Sequence, residues 1–371
     1  MKILTAIFRF FPHGGLQSDF LRIVTELFAR GHQVICCTGS WTGTVPPGLN
    51  VRTIPLSSWT NHGKALEFEQ KIHSVLNAEK PDRFVVFNRM GGADFYFAAD
   101  NCLLPVWRKK HSPFVLRWLP RYKTFLAQEK AVFCPESKTK ILYIVEKQKE
   151  EYQAEYGTVP ERFLYLPPGI NPACKHSDAS FAIREEERRK LGLLPENRLL
   201  LLVAAQFQVK GADRAIRALA ALPDTIRSNC RLLLCGDTKN AKFRQLAESC
   251  GVADLILWKG PTPEVPRLLQ AADLMVHPAR LEAAGAVLTE AVAAGLPAIC
   301  SGLCGFSCFV AQSGGIVLPE PFDQKDLSDA LAKVLGDLRI LPEMKKNCLK
   351  YSETADFYHR AEVAADWIEQ G

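Results

Sequence analysis

The chain has 371 residues, 47% of them apolar and 23% charged. That is more than one hydrophobic core usually holds and suits two domains of roughly 150–200 residues. The composition excludes a disordered chain, and no apolar run approaches the ~20 residues of a membrane span. The net charge of +6 is unevenly placed: between residues 107 and 140, Arg108, Lys109, Lys110, Arg117, Arg121, Lys123, Lys130, Lys138 and Lys140 stand against only Glu129 and Glu136.

Taken in chain order, β-rich apolar runs alternate with amphipathic stretches, the pattern of parallel sheets with crossover helices. Strands are predicted at 3–8, 33–37, 51–54, 84–87, 131–133 and 142–145, with helical periodicity over 16–30 and 64–78. Arg9 interrupts the first run and no small-residue cleavage site follows. That run reads as a strand and not a signal peptide, so the expected compartment is the cytoplasm. An apolar run at 163–166 ends in Pro167-Pro168-Gly169, a strong breaker, and a polar, charged stretch follows. A second series then begins, with strands at 198–204, 231–235, 255–257, 274–277 and 298–300. Helices are predicted at 212–221, 241–250, 264–271, 286–294 and 325–335. The expected fold is α/β, two doubly wound Rossmann-like domains facing a central cleft. Ligands of such sheets bind beyond the carboxyl ends of the strands.

The twelve cysteines do not form a disulfide framework in this reading. Cys36 and Cys37 are adjacent in a strand-like run and Cys235 and Cys300 end other apolar runs, so they are expected to be reduced, buried, small hydrophobes. Cys300, Cys304 and Cys308 have a spacing that fits neither zinc pairs nor the common iron–sulfur runs.

Four motifs carry chemistry. His13-Gly14-Gly15-Leu16-Gln17 follows the first strand and opens a helix, where glycines admit a close ligand and free N–H groups suit an anion. A plain strand–helix turn is the alternative. The motif is neither G-x-G-x-x-G nor a phosphate loop, which disfavours a nicotinamide cofactor. Lys210-Gly211 stands a few residues beyond the strand at 198–204, where an ammonium could neutralise a diphosphate. Alone, a Lys-Gly pair is more often a surface turn. In Glu282-Ala283-Ala284-Gly285-Ala286-Val287-Leu288-Thr289-Glu290, two carboxylates eight residues apart flank a helix start. Glu282 is expected in the loop and Glu290 about two turns into the helix, a pair suited to sugar and ribose hydroxyls. Solvated helix glutamates are the alternative. No D-x-D occurs, so no divalent metal is indicated, and charge on a leaving group falls to lysine and helix dipoles. Finally, Arg108, Lys109, Lys110, Arg117, Arg121 and Lys123 are interleaved with Phe114, Trp118 and Tyr122. That mixture suits an anionic membrane surface, and with no recognisable nucleic-acid module it ranks above nucleic acid. A solvated, partly buried helix pair is the alternative.

The E-x7-E pair, the Gly-Gly loop, the Lys-Gly turn and Leu166-Pro167-Pro168-Gly169-Ile170 resemble glycosyltransferase family four, of the GT-B type. Residues 11–20, Thr60-Asn61-His62-Gly63, Phe87-Asn88-Arg89-Met90, the stretch 94–100 and Cys304-Gly305-Phe306 are similar, more narrowly, to the glucosyltransferases of the lipopolysaccharide core. The resemblance runs nearly end to end. It implies an acceptor-binding domain at 1–168, a nucleotide-sugar-binding domain at 169–352, and a closing helix at 353–371 that packs back on the first. It implies retaining, metal-independent transfer of a hexose, glucose foremost, from a UDP-hexose donor to a heptose of the lipid A–inner core acceptor. Gly14, Gly15 and Lys210 would hold the diphosphate, Glu282 the donor sugar, Glu290 the ribose, and Ala284 and Gly285 the turn between them. Asp19, Asn88 and Asp100 would lie on the acceptor side, and Asp19, Lys210 and Glu282 would carry the chemistry. The basic segment, with Arg108, Lys109, Lys110, Arg117, Trp118, Arg121 and Lys123, would dock the cytoplasmic face of the inner membrane.

Some positions depart from the pattern. Ala205 and Val209 stand where the family carries a diphosphate-binding arginine, Arg89 where a lysine is expected, and His13 where an aromatic is expected. The implied mechanism is front-face attack by an acceptor hydroxyl as UDP leaves. Two competing readings are a UDP-sugar epimerase on the same scaffold and a non-catalytic membrane-bound scaffold.

Overall fold

The computed structural model describes residues 1–12 and 14–371; His13, with the aromatic expected in its place, lies outside the described residues. The chain divides into two compact units, Met1–Gly169 with His359–Gly371, and Ile170–Tyr358.

In the first unit seven parallel strands form one sheet in the order β3-β2-β1-β4-β5-β6-β7. They are β1 (Lys2–Ile7), β2 (Gln33–Thr38), β3 (Asn50–Thr53), β4 (Arg83–Val86), β5 (Phe95–Ala98), β6 (Lys140–Tyr143) and β7 (Phe163–Tyr165). β1 and β2 are buried almost throughout, as expected of parallel strands covered by helices on both faces. The second unit has six, in the order β10-β9-β8-β11-β12-β13: β8 (Arg198–Ala204), β9 (Cys230–Gly236), β10 (Ile256–Lys259), β11 (Leu274–His277), β12 (Ala298–Ser301) and β13 (Ile316–Leu318). Leu200, Leu202, Leu232 and Leu234 face one side of this sheet and Leu199, Leu201 and Leu233 the other, so each face carries its own apolar core.

Several elements differ from the sequence expectation. Residues 131–133 are not a strand but the end of the helix Pro120–Phe133. Val132 and Phe133 lie on the buried side of that helix and Ala131 is exposed; Phe133 stacks on Tyr152 with ring centroids 3.5 Å apart. β5 went unpredicted because acidic Asp94 and Asp100 bracket it; Asp94 points back and accepts the N–H of Phe84 at 2.7 Å. The helices Ser180–Lys190 and Ile340–Ser352 also went unpredicted, and the closing helix is Arg360–Gln370, shorter than the stretch read from sequence. This last helix belongs to the first unit. Arg30 ion-pairs with Asp366 and Glu369, and Arg83 donates to the Ile368 carbonyl at 3.1 Å.

All twelve cysteines are free, most of them buried. Among the described residues no helix is long and apolar enough to cross a membrane.

Candidate active site

Both sheets reverse their strand order once, between β1 and β4 in the first unit and between β8 and β11 in the second. At such a switch point the loops leaving adjacent strands diverge and open a crevice at the carboxyl edge. The motifs read from sequence fall at these two places. Lys210 follows β8 and Glu282 follows β11; Gly14 follows β1 and Asn88 follows β4.

In the second unit the pairing of Leu274 with Leu200, 74 residues earlier, brings together the loops that follow β8 and β11. Lys210 Nζ lies 2.6 Å from Glu282 Oε2 and donates to the Leu281 carbonyl at 3.2 Å. The same Glu282 oxygen is 3.1 Å from Nε2 of His277, the buried last residue of β11. Burial opposes the charge on Glu282, but the His277 hydrogen bond and the Lys210 ammonium outweigh it and hold the carboxyl below the usual glutamate range. The result is a carboxylate that accepts hydrogen bonds beside a cation that can be shared with an anion.

The two loops are locked to one another. Gly211 has φ +77°, and a Cβ there would lie 2.2 Å from the Pro278 carbonyl oxygen, so only glycine lets the turn approach this closely. Arg280 donates its backbone N–H to Val209 and its guanidinium to the Gln208 carbonyl, and it forms a two-pronged pair with Asp213 at 2.7 Å on each prong. Asp237, after β9, accepts the N–H of Phe207 at 2.9 Å and so fixes the start of the short helix Phe207–Lys210. Sequence reasoning missed His277, Arg280, Asp213 and Asp237. His277 ends β11 and Asp237 directly follows β9, a position that could have flagged them; Arg280 and Asp213 carry no such signal. Arg280 brings a guanidinium against the segment in which Ala205 and Val209 leave no arginine.

Gly285, at φ +87°, precedes the helix Ala286–Ala293, and the Ala284 carbonyl accepts the N–H of Phe306 at 2.7 Å. Glu290 is the fifth residue of this helix, a little over one turn in and not two, because the helix begins only after Gly285.

In the first unit Gly14 caps the helix Gly15–Ala29 in an extended conformation. A side chain at 14 would collide with Gln17 and Phe11, whereas position 15 faces open space. Asn88 accepts the Phe8 N–H at 2.6 Å and, with Arg89, Asp100, Trp107, Arg121 and Phe125, lines a cavity of about 320 Å³ at the β1–β4 switch point. Arg89 forms its buried floor. Its guanidinium lies 2.8 Å from the fully buried Glu129, 3.7 Å from Asp100, and donates to the Asn101 carbonyl at 2.7 Å. Glu129 in turn accepts the Leu103 N–H at 2.9 Å and the Tyr156 hydroxyl at 2.6 Å, anchoring the helix Leu103–Arg108 that walls the cavity.

Asp19 is not with them. It is buried on the inner side of its helix, 2.7 Å from Arg360 of the closing helix, and Arg360 also donates to the Pro167 carbonyl at 2.8 Å. Burial raises its pKa against the opposing charges of Arg360 and Arg22. The chain segment before Gly169 is thereby tied into the first unit; Asp19 does not line the cavity that holds Asn88 and Asp100.

The basic segment forms three helices, Leu103–Arg108, Pro113–Trp118 and Pro120–Phe133. Lys109, Lys110, Arg117, Arg121 and Lys123 are exposed, and Arg108 pairs with Glu155. Phe114 and Trp118 are 70% and 62% exposed, with Arg117 over the Trp118 ring. Trp59, at 98% exposure, stands two residues before Asn61 of the same cavity wall.

The fold and the likeness to known proteins make this a sugar-transferring enzyme of GT-B architecture, and the chain belongs to the group 1 glycosyltransferases. The model of that family, Glycosyl transferases group 1, matches residues 183–354, within the second unit. The chain is 40% identical to the lipopolysaccharide glucosyltransferase WaaG of Escherichia coli (strain K12), over all of this chain and 99% of that one. It superimposes on the crystal structure of WaaG, a glycosyltransferase involved in lipopolysaccharide biosynthesis, with a TM-score of 0.94 at 39% identity over the whole of both chains. Anabaena Alr3699/HepE, solved in complex with UDP and glucose, has a TM-score of 0.76 at 16% identity across both chains and shares the fold.

Proposed function

We propose that this glycosyltransferase moves a hexose, glucose foremost, from a UDP-hexose to a heptose of the lipopolysaccharide inner core, with retention of configuration and without a metal. The observation that carries the reading is the Lys210–Glu282 pair at the switch point of the second sheet, 2.6 Å apart and braced by His277. The end-to-end likeness to WaaG supports the acceptor class.

Within this proposal the donor diphosphate shares Lys210 with Glu282. Glu282, kept ionised, accepts hydrogen bonds from the donor sugar, and Glu290 accepts them from the ribose. As the bond from the anomeric carbon to the diphosphate oxygen lengthens, negative charge builds on the departing UDP, and Lys210 is the cation fixed in advance to meet it. The acceptor hydroxyl attacks from the face UDP leaves, and its proton passes to the departing diphosphate. The cavity with Asn88 and Asp100 takes the acceptor, its amide and carboxylate groups facing hydroxyls and its Trp107 and Phe125 rings facing sugar carbons. Phe114, Trp118 and the surrounding cations hold the first unit on the anionic cytoplasmic face of the inner membrane, where a glycolipid acceptor resides.

The test is UDP release by purified protein with a panel of UDP-hexoses, with and without truncated lipopolysaccharide core, in EDTA. Acceptor-dependent release with one donor, abolished by Glu282→Ala, is the expected result. Release only after a divalent metal is added would sink the metal-independent part. Conversion of donor alone into its epimer, read by NMR, would sink the transfer.

A further inference from the structure

The second unit has a second cavity, at the opposite end of its sheet from Lys210 and Glu282. It opens where three strands begin: Arg198 starts β8, Asp273 immediately precedes β11, and Pro297 immediately precedes β12. Its volume is about 230 Å³, too small for a nucleotide sugar. Three cations line it, Arg184, Arg198 and Lys345, together with Asp273 and Asp337.

Both carboxylates are already committed. Asp273 holds Arg184 and Arg188 and accepts the Leu199 N–H at 2.7 Å, while Asp337 pairs with Arg339 at 2.8 Å. Among the described residues Arg198 and Lys345 make no ion pair, yet both are only partly exposed. Burial, and then the like charge of Arg184, push the Lys345 pKa down, with Asp273 opposing. Two partly desolvated cations with no ion-pair partner of their own carry a cost that a bound anion reduces. A guanidinium fork and an ammonium lining one cavity match a tetrahedral dianion, whereas a single carboxylate would neutralise only one of them. Val334, Leu335 and Leu341 complete the wall with apolar surface that suits a short carbon chain.

We infer that this cavity is an anion site for phosphate or a small phosphomonoester, separate from the Lys210–Glu282 site and independent of what that site transfers. The test is calorimetric titration of the full chain at constant ionic strength with inorganic phosphate, and separately with glycerol 3-phosphate. Saturable binding is expected. Lys345→Met should weaken it roughly tenfold or more, and Lys210→Met should leave it unchanged. Tighter binding of the ester would identify a phosphomonoester as the occupant, and tighter binding of phosphate the free ion. Because Lys345→Met removes an unpaired cation, it should melt no lower than wild type in phosphate-free buffer; Arg198→Met is a second variant with the same expected loss. Binding that survives both substitutions, follows added NaCl, or disappears in Lys210→Met overturns the inference.

Discussion

Replacing Lys210 by methionine removes the ammonium and keeps most of the side-chain volume. Two consequences follow from its position 2.6 Å from Glu282. The first is kinetic: one preorganised cation facing a departing diphosphate is worth about 10²–10³ in kcat, by analogy with deletion of a single oxyanion donor. The second concerns stability. Glu282 loses its cationic partner and keeps only His277, in a site where burial already disfavours its charge. Removing one partner of a fully buried pair costs about 3–5 kcal/mol. Lys210 is 22% exposed and His277 remains, so about 1–2 kcal/mol is the better expectation. In the wild type the folded pKa of Glu282 is depressed. Its contribution is therefore complete above the ordinary glutamate value and is lost as pH falls through the depressed one. In the variant that pKa rises, so the deficit in Tm should be largest near pH 7 and shrink as pH falls through about 4. Initial rates of UDP release and melting curves at several pH values read both effects. A variant that keeps kcat within about threefold of wild type, or whose Tm deficit is the same at neutral and acid pH, would refute the reasoning.

Gly211→Ala places a Cβ 2.2 Å from the Pro278 carbonyl at φ +77°, and a loss of about 3 kcal/mol or more, seen as a lower urea midpoint together with lost activity, is expected. Arg360→Met leaves the Asp19 carboxylate buried without its bonded cation; it should cost about 3–5 kcal/mol, and adding Asp19→Asn should restore part of the lost Tm. Replacing Arg117, Arg121 and Lys123 together by glutamine should weaken co-sedimentation with anionic vesicles by about 1 kcal/mol per cation, and Phe114→Ser with Trp118→Ser should weaken it further. Binding to neutral vesicles equal to that on anionic ones would count against a membrane role for this surface.

The second sheet was legible because parallel strands buried on both faces are written as unbroken apolar runs, as in residues 199–202 and 232–234. The carboxylates and the Lys-Gly turn were legible because each follows such a run. What failed depended on contacts distant in sequence. The triplet 131–133 is apolar in either a strand or a helix, and only its packing against Tyr152 decides between them. The pairing of Asp19 with Arg360, 341 residues later, has no local signal in the sequence. The helix Ser180–Lys190 buries only Ser180, Glu187 and Arg188, so it carries no apolar stripe to read. Arg280 was invisible as a neighbour of Lys210 because that proximity is set by the β8–β11 register and not by local spacing.

The closing helix also fixes the order in which the protein can be completed. The first unit begins at Met1 but takes its last segment from His359–Gly371. During synthesis from the amino end, the contacts of Arg30, Arg83 and Asp19 with this segment therefore wait while the whole of Ile170–Tyr358 is made and able to fold. The half of the enzyme translated first is the half finished last. A chain cut just before His359 would keep the second unit whole and leave the first without this segment.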